Sequence, residues 1–187
     1  MNPLPLSGDA GSPTRYDTPT ILLHWLTALL VIGLFALAEI WDALPRGTPA
    51  RKLLQSLHVS SGLLFAAVLV ARIVWRLTAG RRLPRASGGI WGLAGSSMHV
   101  LLYVLMAAQV VLGFLFRWAQ GEAFTFFGLF DVPTLIPIDR EQRRAIGGLH
   151  DTVAWTIIVL AGCHALAGLA HHYWLKDGIL RRMLPRR

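Results

Sequence analysis

Residues 147–172 read GGLHDTVAWTIIVLAGCHALAGLAHH. From Thr152 to Ala170 this stretch carries no charged residue, which is close to the roughly 20 apolar residues a helix needs to cross a bilayer. Two histidines, His150 and His164, lie fourteen residues apart within it. At a rise of about 1.5 Å per residue, that spacing separates them by about 21 Å along a helix axis. Fourteen steps of about 100° also return both to one face, within roughly 40° of each other. A single apolar helix thus presents two imidazoles at two depths on one side.

Three further runs share this character: Ile21 to Ala38, Leu57 to Ala71 and Met98 to Phe116. The second reaches spanning length only if Arg72 and Arg76 snorkel to the interface. The chain of 187 residues is 54% hydrophobic and 15% charged, against about 25% charged for a soluble domain. A soluble globular fold is excluded, and with it a nucleic-acid reading of the +8 net charge. The expected fold is an all-α integral membrane four-helix bundle, with spans at about 20–41, 55–77, 97–118 and 149–173 and a disordered tail over 1–18.

Sorting charge by side sets the expected orientation. One face carries Arg15, Arg72, Arg76, Arg81, Arg82, Arg85, Lys176, Arg181, Arg182, Arg186 and Arg187 against Asp9, Asp17 and Asp177. The whole net charge lies there, so both termini are expected on the cytoplasmic side. The first apolar run, although it ends in Ala36-Leu37-Ala38 before Glu39, is long for a cleaved leader and reads as a retained span. Thr18 or Thr20 is the expected cap of the first helix and Pro19 suits its first turn. Ser96 or Ser97 opens the third helix and Gly148 the fourth. The loop from Ala119 to Gly148, rich in Phe and Pro, is expected to fold over the external mouth of the bundle. Cys163 reads as a small core residue, and without a C-x-x-C-H motif no haem is covalently attached.

All seven histidines fall within spans or at their ends, where ionisable groups are costly and tend to face the interior. By depth, His24 in the first span matches His164, and His58 in the second matches His150. Two such pairs suit two haems with an imidazole on each side of the iron. The same residues also admit a metal or proton pathway, or interior histidines with no cofactor. A metal channel favours carboxylates or thiolates beside the imidazoles, whereas the span interiors hold no acid beyond the terminal Glu39 and Asp151. Ser60-Ser61-Gly62, Gly113, Gly162 and Gly168 allow close approach of a flat group or simply of another helix. Arg72 and Arg76 serve equally well as propionate partners or as interfacial anchors. His99 has no depth-matched partner left once those four histidines are paired, and His172 points away from the His150–His164 face.

Several segments together resemble the bacterial cytochrome b561 family of the inner membrane. They are His24-Trp25, Leu57-His58-Val59-Ser60-Ser61-Gly62, Ala71-Arg72, Gly147-Gly148-Leu149-His150-Asp151, and the run from Cys163-His164 through His171-His172-Tyr173 to Pro185. The resemblance covers about residue 15 to the end. It implies a protein with two b-type haems that exchanges electrons with the quinone pool; one activity in the family is superoxide oxidation coupled to ubiquinone reduction. Carried onto this chain, it implies His24 and His164 on the cytoplasmic-side haem iron, and His58 and His150 on the external one. His171 would lie near the quinone, with Arg72 and Lys176, since its imidazole can hydrogen-bond a carbonyl or shuttle a proton. Arg143 and Arg144 are candidates for attracting superoxide. A rival reading makes the chain the membrane anchor of a partner dehydrogenase or hydrogenase; a cofactor-free transporter is a third. Membrane lipid, ubiquinone and superoxide are the expected partners, along with a homo-oligomer or a redox partner protein.

Overall fold

The first helix begins where a carboxylate can satisfy its free amides. In the computed structural model, which describes residues 15–84, 89–121 and 124–184, helix α1 (Thr18–Asp42) is capped by Asp17. Pro19 occupies its first turn as expected, but the cap is neither Thr18 nor Thr20. A carboxylate has more acceptor sites than a hydroxyl, and Asp17 uses them. It accepts from Thr20 N at 3.0 Å, from the Thr20 hydroxyl at 2.9 Å, from Trp75 Nε1 at 2.8 Å and from Arg81 N at 2.8 Å. One side chain therefore caps α1 and ties it to the far end of the second helix.

Partial burial pushes the Asp17 carboxyl up, but the hydrogen bonds from Arg81, Thr20 and Trp75 outweigh that and hold it well below the usual carboxylate range. Because the folded value is depressed, the stabilisation is complete above about pH 4. It is lost as pH falls through the lower folded value. Asp17→Ala is expected to cost about 1–2 kcal/mol in detergent-solubilised protein. Thermal melts should show that difference at pH 7, and acidification should shrink it.

The remaining boundaries follow local chemistry. Helix α2 (Pro49–Thr78) starts on a Thr48 cap followed by proline. Arg51 closes the α1–α2 connection by donating to the carbonyls of Trp41 at 2.7 Å and Leu44 at 2.9 Å. Helix α3 (Gly89–Gln120) begins well before Ser96. The serine is not a cap, because its hydroxyl bonds back to the Gly92 carbonyl at 2.9 Å inside the helix. Helix α4 (Arg143–Ala170) also starts earlier than Gly148, on a 3-10 turn at Arg140–Gln142, and continues as a π-helical turn over His171–Leu175.

Between α3 and α4 the loop forms a two-stranded antiparallel hairpin, β1 (Phe124–Phe126) and β2 (Phe130–Val132), with Phe126 opposite Phe130. Phe127 and Gly128 have φ of 47° and 74°, a pair of left-handed residues of the type I′ kind. Glycine takes this freely, whereas phenylalanine is strained there. The strain is held by Ser60, a fully buried α2 hydroxyl. It accepts from Phe127 N at 2.9 Å and donates to the Thr125 carbonyl at 3.2 Å. The aromatic loop thus packs on α2, two residues beyond His58.

Helices α1 and α2 form one tightly packed hairpin and α3 and α4 another, while the two hairpins touch each other more sparingly. Phe65, Leu69, Met106 and Ile157 form the buried centre, joined by Leu30, Val31 and Leu34. Ile157 stands midway between His150 and His164, so this cluster separates two histidine levels. All four long helices have the length and composition to cross a membrane. Their outward faces expose Leu22, Leu29, Ile32, Val70, Val104 and Val159, as helices solvated by lipid do. Cys163 is on such an exposed surface rather than in the core, because the buried stripe of α4 is taken by the line of His150, Ile157 and His164.

The two termini meet at one end of the bundle. Tyr16 N donates to the Arg182 carbonyl at 3.2 Å, and Arg182 donates to the Pro84 carbonyl at 3.0 Å. Residues 15–18 of the expected tail are thus bound to the fold. Residues 1–14, together with Arg85, Pro185, Arg186 and Arg187, lie outside the described residues.

Candidate functional site

Each pair expected from depth is brought together across the two hairpins. His58 on α2 faces His150 on α4 with ring centres 6.4 Å apart and planes at 71°. His24 on α1 faces His164 on α4 at 6.3 Å and 89°. Two imidazoles that share a metal ion through bonds of about 2 Å have ring centres about 6 Å apart. Both pairs have that spacing, and in each the rings come from different hairpins, where the packing is loosest.

Proton positions at the hairpin-end pair also suit a metal between the rings. His58 Nδ1 lies 2.9 Å from the Leu34 carbonyl. A carbonyl only accepts, so Nδ1 carries the proton and the Nε2 lone pair is free. This is the outer partner that a metal-bound histidine normally has. Assigned as a donor, the Gln109 amide nitrogen meets His150 Nε2 at 3.2 Å, which leaves His150 Nδ1 and Gln109 Oε1 buried without partners. The lone pair that Gln109 takes is the one an iron would use. Phe116 stacks on His150, and a Cβ at Gly147 would come within 2.8 Å of that phenyl ring; glycine makes room for the stack. Trp41 meets His58 edge-on at 4.8 Å.

At the terminal-end pair, Arg72 Nη2 lies 3.0 Å from His24 Nδ1, and its guanidinium sits 5.0 Å from the centre of the Tyr103 ring. Arginine only donates, so His24 Nδ1 is the acceptor here. Arg76 instead lies over Tyr16, 5.9 Å from the ring centre, and donates to the Arg81 carbonyl, joining the terminal latch. A third imidazole stands at this level. His99 of α3 lies 5.1 Å from His164, with planes at 70°. Depth in the sequence left His99 without a free partner once the other four were paired; in the structure it meets His164, one of those four. Among the described residues, no group of three or more His, Cys, Asp or Glu could hold a metal ion by protein ligands alone. The donor set is therefore two separate imidazole pairs, which suits an iron whose other four ligands come from a porphyrin.

The remaining candidates lie at opposite ends of the bundle. His171 Nδ1 pairs with Asp177 Oδ2 at 2.5 Å. Slight burial raises the Asp177 carboxyl, but the hydrogen bond from His171 and the Ile179 amide outweigh it and pull it down. The chain turns sharply at Lys176, with φ 51°, and Gly178, with φ 75°. Lys176 borders a cavity of about 210 Å³ with His172, Tyr173, Gly178 and Arg181. His172, read as pointing away, thus lines the space beside Lys176, while Arg72 keeps to His24. Arg143 and Arg144 are exposed in the first turn of α4.

An apolar four-helix bundle with haem-spaced imidazole pairs is the architecture of a membrane cytochrome b. Residues 15–186 match the family model described as prokaryotic cytochrome b561. Cytochrome b561 homolog 2 of Escherichia coli K12 is 34% identical over 180 residues, covering 92% of this chain and 93% of its own length. Cytochrome b561 homolog 1 of the same organism is 30% identical over 174 residues, covering 92% and 98%. A probable superoxide oxidase, CybB, of Yersinia pestis is 30% identical over 175 residues, covering 92% and 97%. The chain belongs to the prokaryotic cytochrome b561 family. It is a multi-pass protein of the bacterial inner membrane, and the family implies binding of haem b and electron transfer.

Proposed function

We propose that this chain holds two b-type haems and passes electrons from superoxide at the external face to ubiquinone near the cytoplasmic face. The observation that carries the reading is the pair of cross-hairpin imidazole spacings, 6.3 and 6.4 Å. His58 and His150 hold the external haem, while His24 and His164 hold the cytoplasmic-side one. When bound between two imidazoles, haem iron supplies one-electron redox chemistry with no open coordination position.

The protein's part is ligation, proton placement and charge. Leu34 keeps the proton of His58 on Nδ1 and the coordinating lone pair on Nε2. For His24 to use Nε2 in the same way, its proton must sit on Nδ1, so Arg72 must turn to another acceptor, and a haem propionate is a carboxylate of the right kind. Arg143 and Arg144 place two cations ahead of His150 and favour the approach of an anion. Orientation follows from the basic residues gathered at the end where the termini meet.

The chemistry balances as follows. Two superoxide anions each give up one electron and leave as dioxygen. The quinone takes those two electrons with two protons and leaves as quinol. His171 is suited to the proton side. With Asp177 holding the Nδ1 proton, Nε2 is the atom that can exchange another. Lys176, beside the adjoining cavity, supplies a fixed positive charge.

The test is purified protein in detergent, assayed first for haem per polypeptide and then for quinone reduction driven by a superoxide source. About two haems per chain and quinol formation that superoxide dismutase abolishes are expected. Charge removal in Arg143→Gln/Arg144→Gln should slow the reaction by up to about tenfold at low salt, with the gap closing at high salt. Two haems without superoxide-driven quinol would instead assign the chain to a partner dehydrogenase or hydrogenase. Absence of haem after expression with ample supply would overturn the reading.

A further inference from the structure

His164 contacts two imidazoles in different ways. Its 6.3 Å spacing from His24 leaves room for a metal between the rings, whereas the 5.1 Å spacing from His99 brings the two rings into direct edge contact. The four paired histidines also differ in their outer support. His58 has the Leu34 carbonyl behind its Nδ1, whereas Arg72 donates to His24 Nδ1 and Gln109 to His150 Nε2. His164 has no hydrogen bond from any of the described residues, and His99 is a polar ring set against it. A metal-bound histidine normally needs an outer partner to fix its ring plane and its basicity.

We infer that His99 is a positioning residue for His164, an imidazole whose edge contact fixes the ring plane of a ligand to the cytoplasmic-side haem. This rests on the two-haem reading above. The same α4 ring is thereby held from two sides, by α1 through the cofactor and by α3 through His99. The orientation of a ligating imidazole is part of what tunes a metal site, so freeing the His164 ring should alter the spectrum and potential of that haem alone.

The test is a set of variants, His99→Leu, His99→Gln and His24→Leu, in the full-length haem-loaded protein. Each is read by haem per polypeptide, low-temperature absorption and EPR spectra, and potentiometric titration of the two haems. Expected for His99→Leu are both haems retained, with one α-band, one EPR signal and one midpoint potential shifted, the other haem being unchanged. His99→Gln, which keeps a planar polar group against the ring, should reverse part of the shift; should His99→Leu fail to accumulate, a His99→Gln protein with a partial shift decides the matter. Both haems with unaltered spectra and potentials in the two His99 variants would overturn this inference and leave the two-haem reading intact. Loss of a haem from His99→Leu while His24→Leu keeps both would make His99 the ligand, overturning both this inference and the assignment of His24.

Discussion

Alanine at His164 is expected to leave the purified protein with about one haem per chain in place of about two. His24→Ala should remove the same haem, because the two rings face each other across the hairpins at 6.3 Å. His58→Ala and His150→Ala should each remove the other. The pattern matters more than any single loss. Within a pair, the double variant should be no worse than either single one, because one missing axial imidazole already unbalances the site. Across pairs, the double variant should contain almost no haem. Redox titration after each single change should therefore show one surviving midpoint potential, and it should be the same within a pair and different between pairs. Retention of both haems in His150→Ala or His164→Ala would sink the assignment.

The second large effect is expected at the quinone end. His171→Ala should slow quinone reduction by on the order of 10²-fold, the usual loss when a general acid–base group is removed. Haem content and haem reduction by the donor should be unchanged. Asp177→Asn tests the arrangement more finely. Asparagine keeps the size but loses the charge that fixes the His171 proton on Nδ1, so the rate should fall, as it should in the wild type once Asp177 is protonated. The direction follows from the pair. Asp177 is held ionised below the ordinary carboxylate range, so the wild-type contact is complete above about pH 4 and is lost only as pH drops through the depressed value. A stopped-flow comparison between pH 3 and 7, with haem re-oxidation as the signal, should show the wild-type rate falling toward that of Asp177→Asn only at the acid end. Unchanged haem re-oxidation in both variants would place the quinone elsewhere, for which the cavity beside His172 is the next candidate.

The fold was legible because lipid leaves a spanning segment few options. Three uncharged runs of nearly bilayer length, and a fourth that reaches it once Arg72 and Arg76 snorkel, are too long for barrel strands and must be helices. The fourteen-residue spacing of His150 and His164 likewise fixed their common face through helix geometry alone, and two partners at matching depths were then countable in the sequence. Helix ends were less legible, because several side chains compete for each role. Asp17 displaced the threonines as a cap by offering acceptors to Trp75 and Arg81, residues that are distant in the chain. Ser96 looked like a cap but is spent inside its own helix.

Only the tertiary structure decided how the elements meet. That Ser60 holds the strained Phe127 turn depends on the loop folding back to α2. That Arg72 stands against His24 and Tyr103, while Arg76 turns to Tyr16, depends on the packing of α1 and α3 around α2. His99 is the clearest case. Its distance from His164 is set by the way α3 packs on α4, which its neighbours in sequence do not encode. Depth along a helix is a one-dimensional quantity that periodicity supplies. Which rings touch at that depth depends on the rotation and crossing of four helices, and those are settled by side-chain packing across the whole bundle.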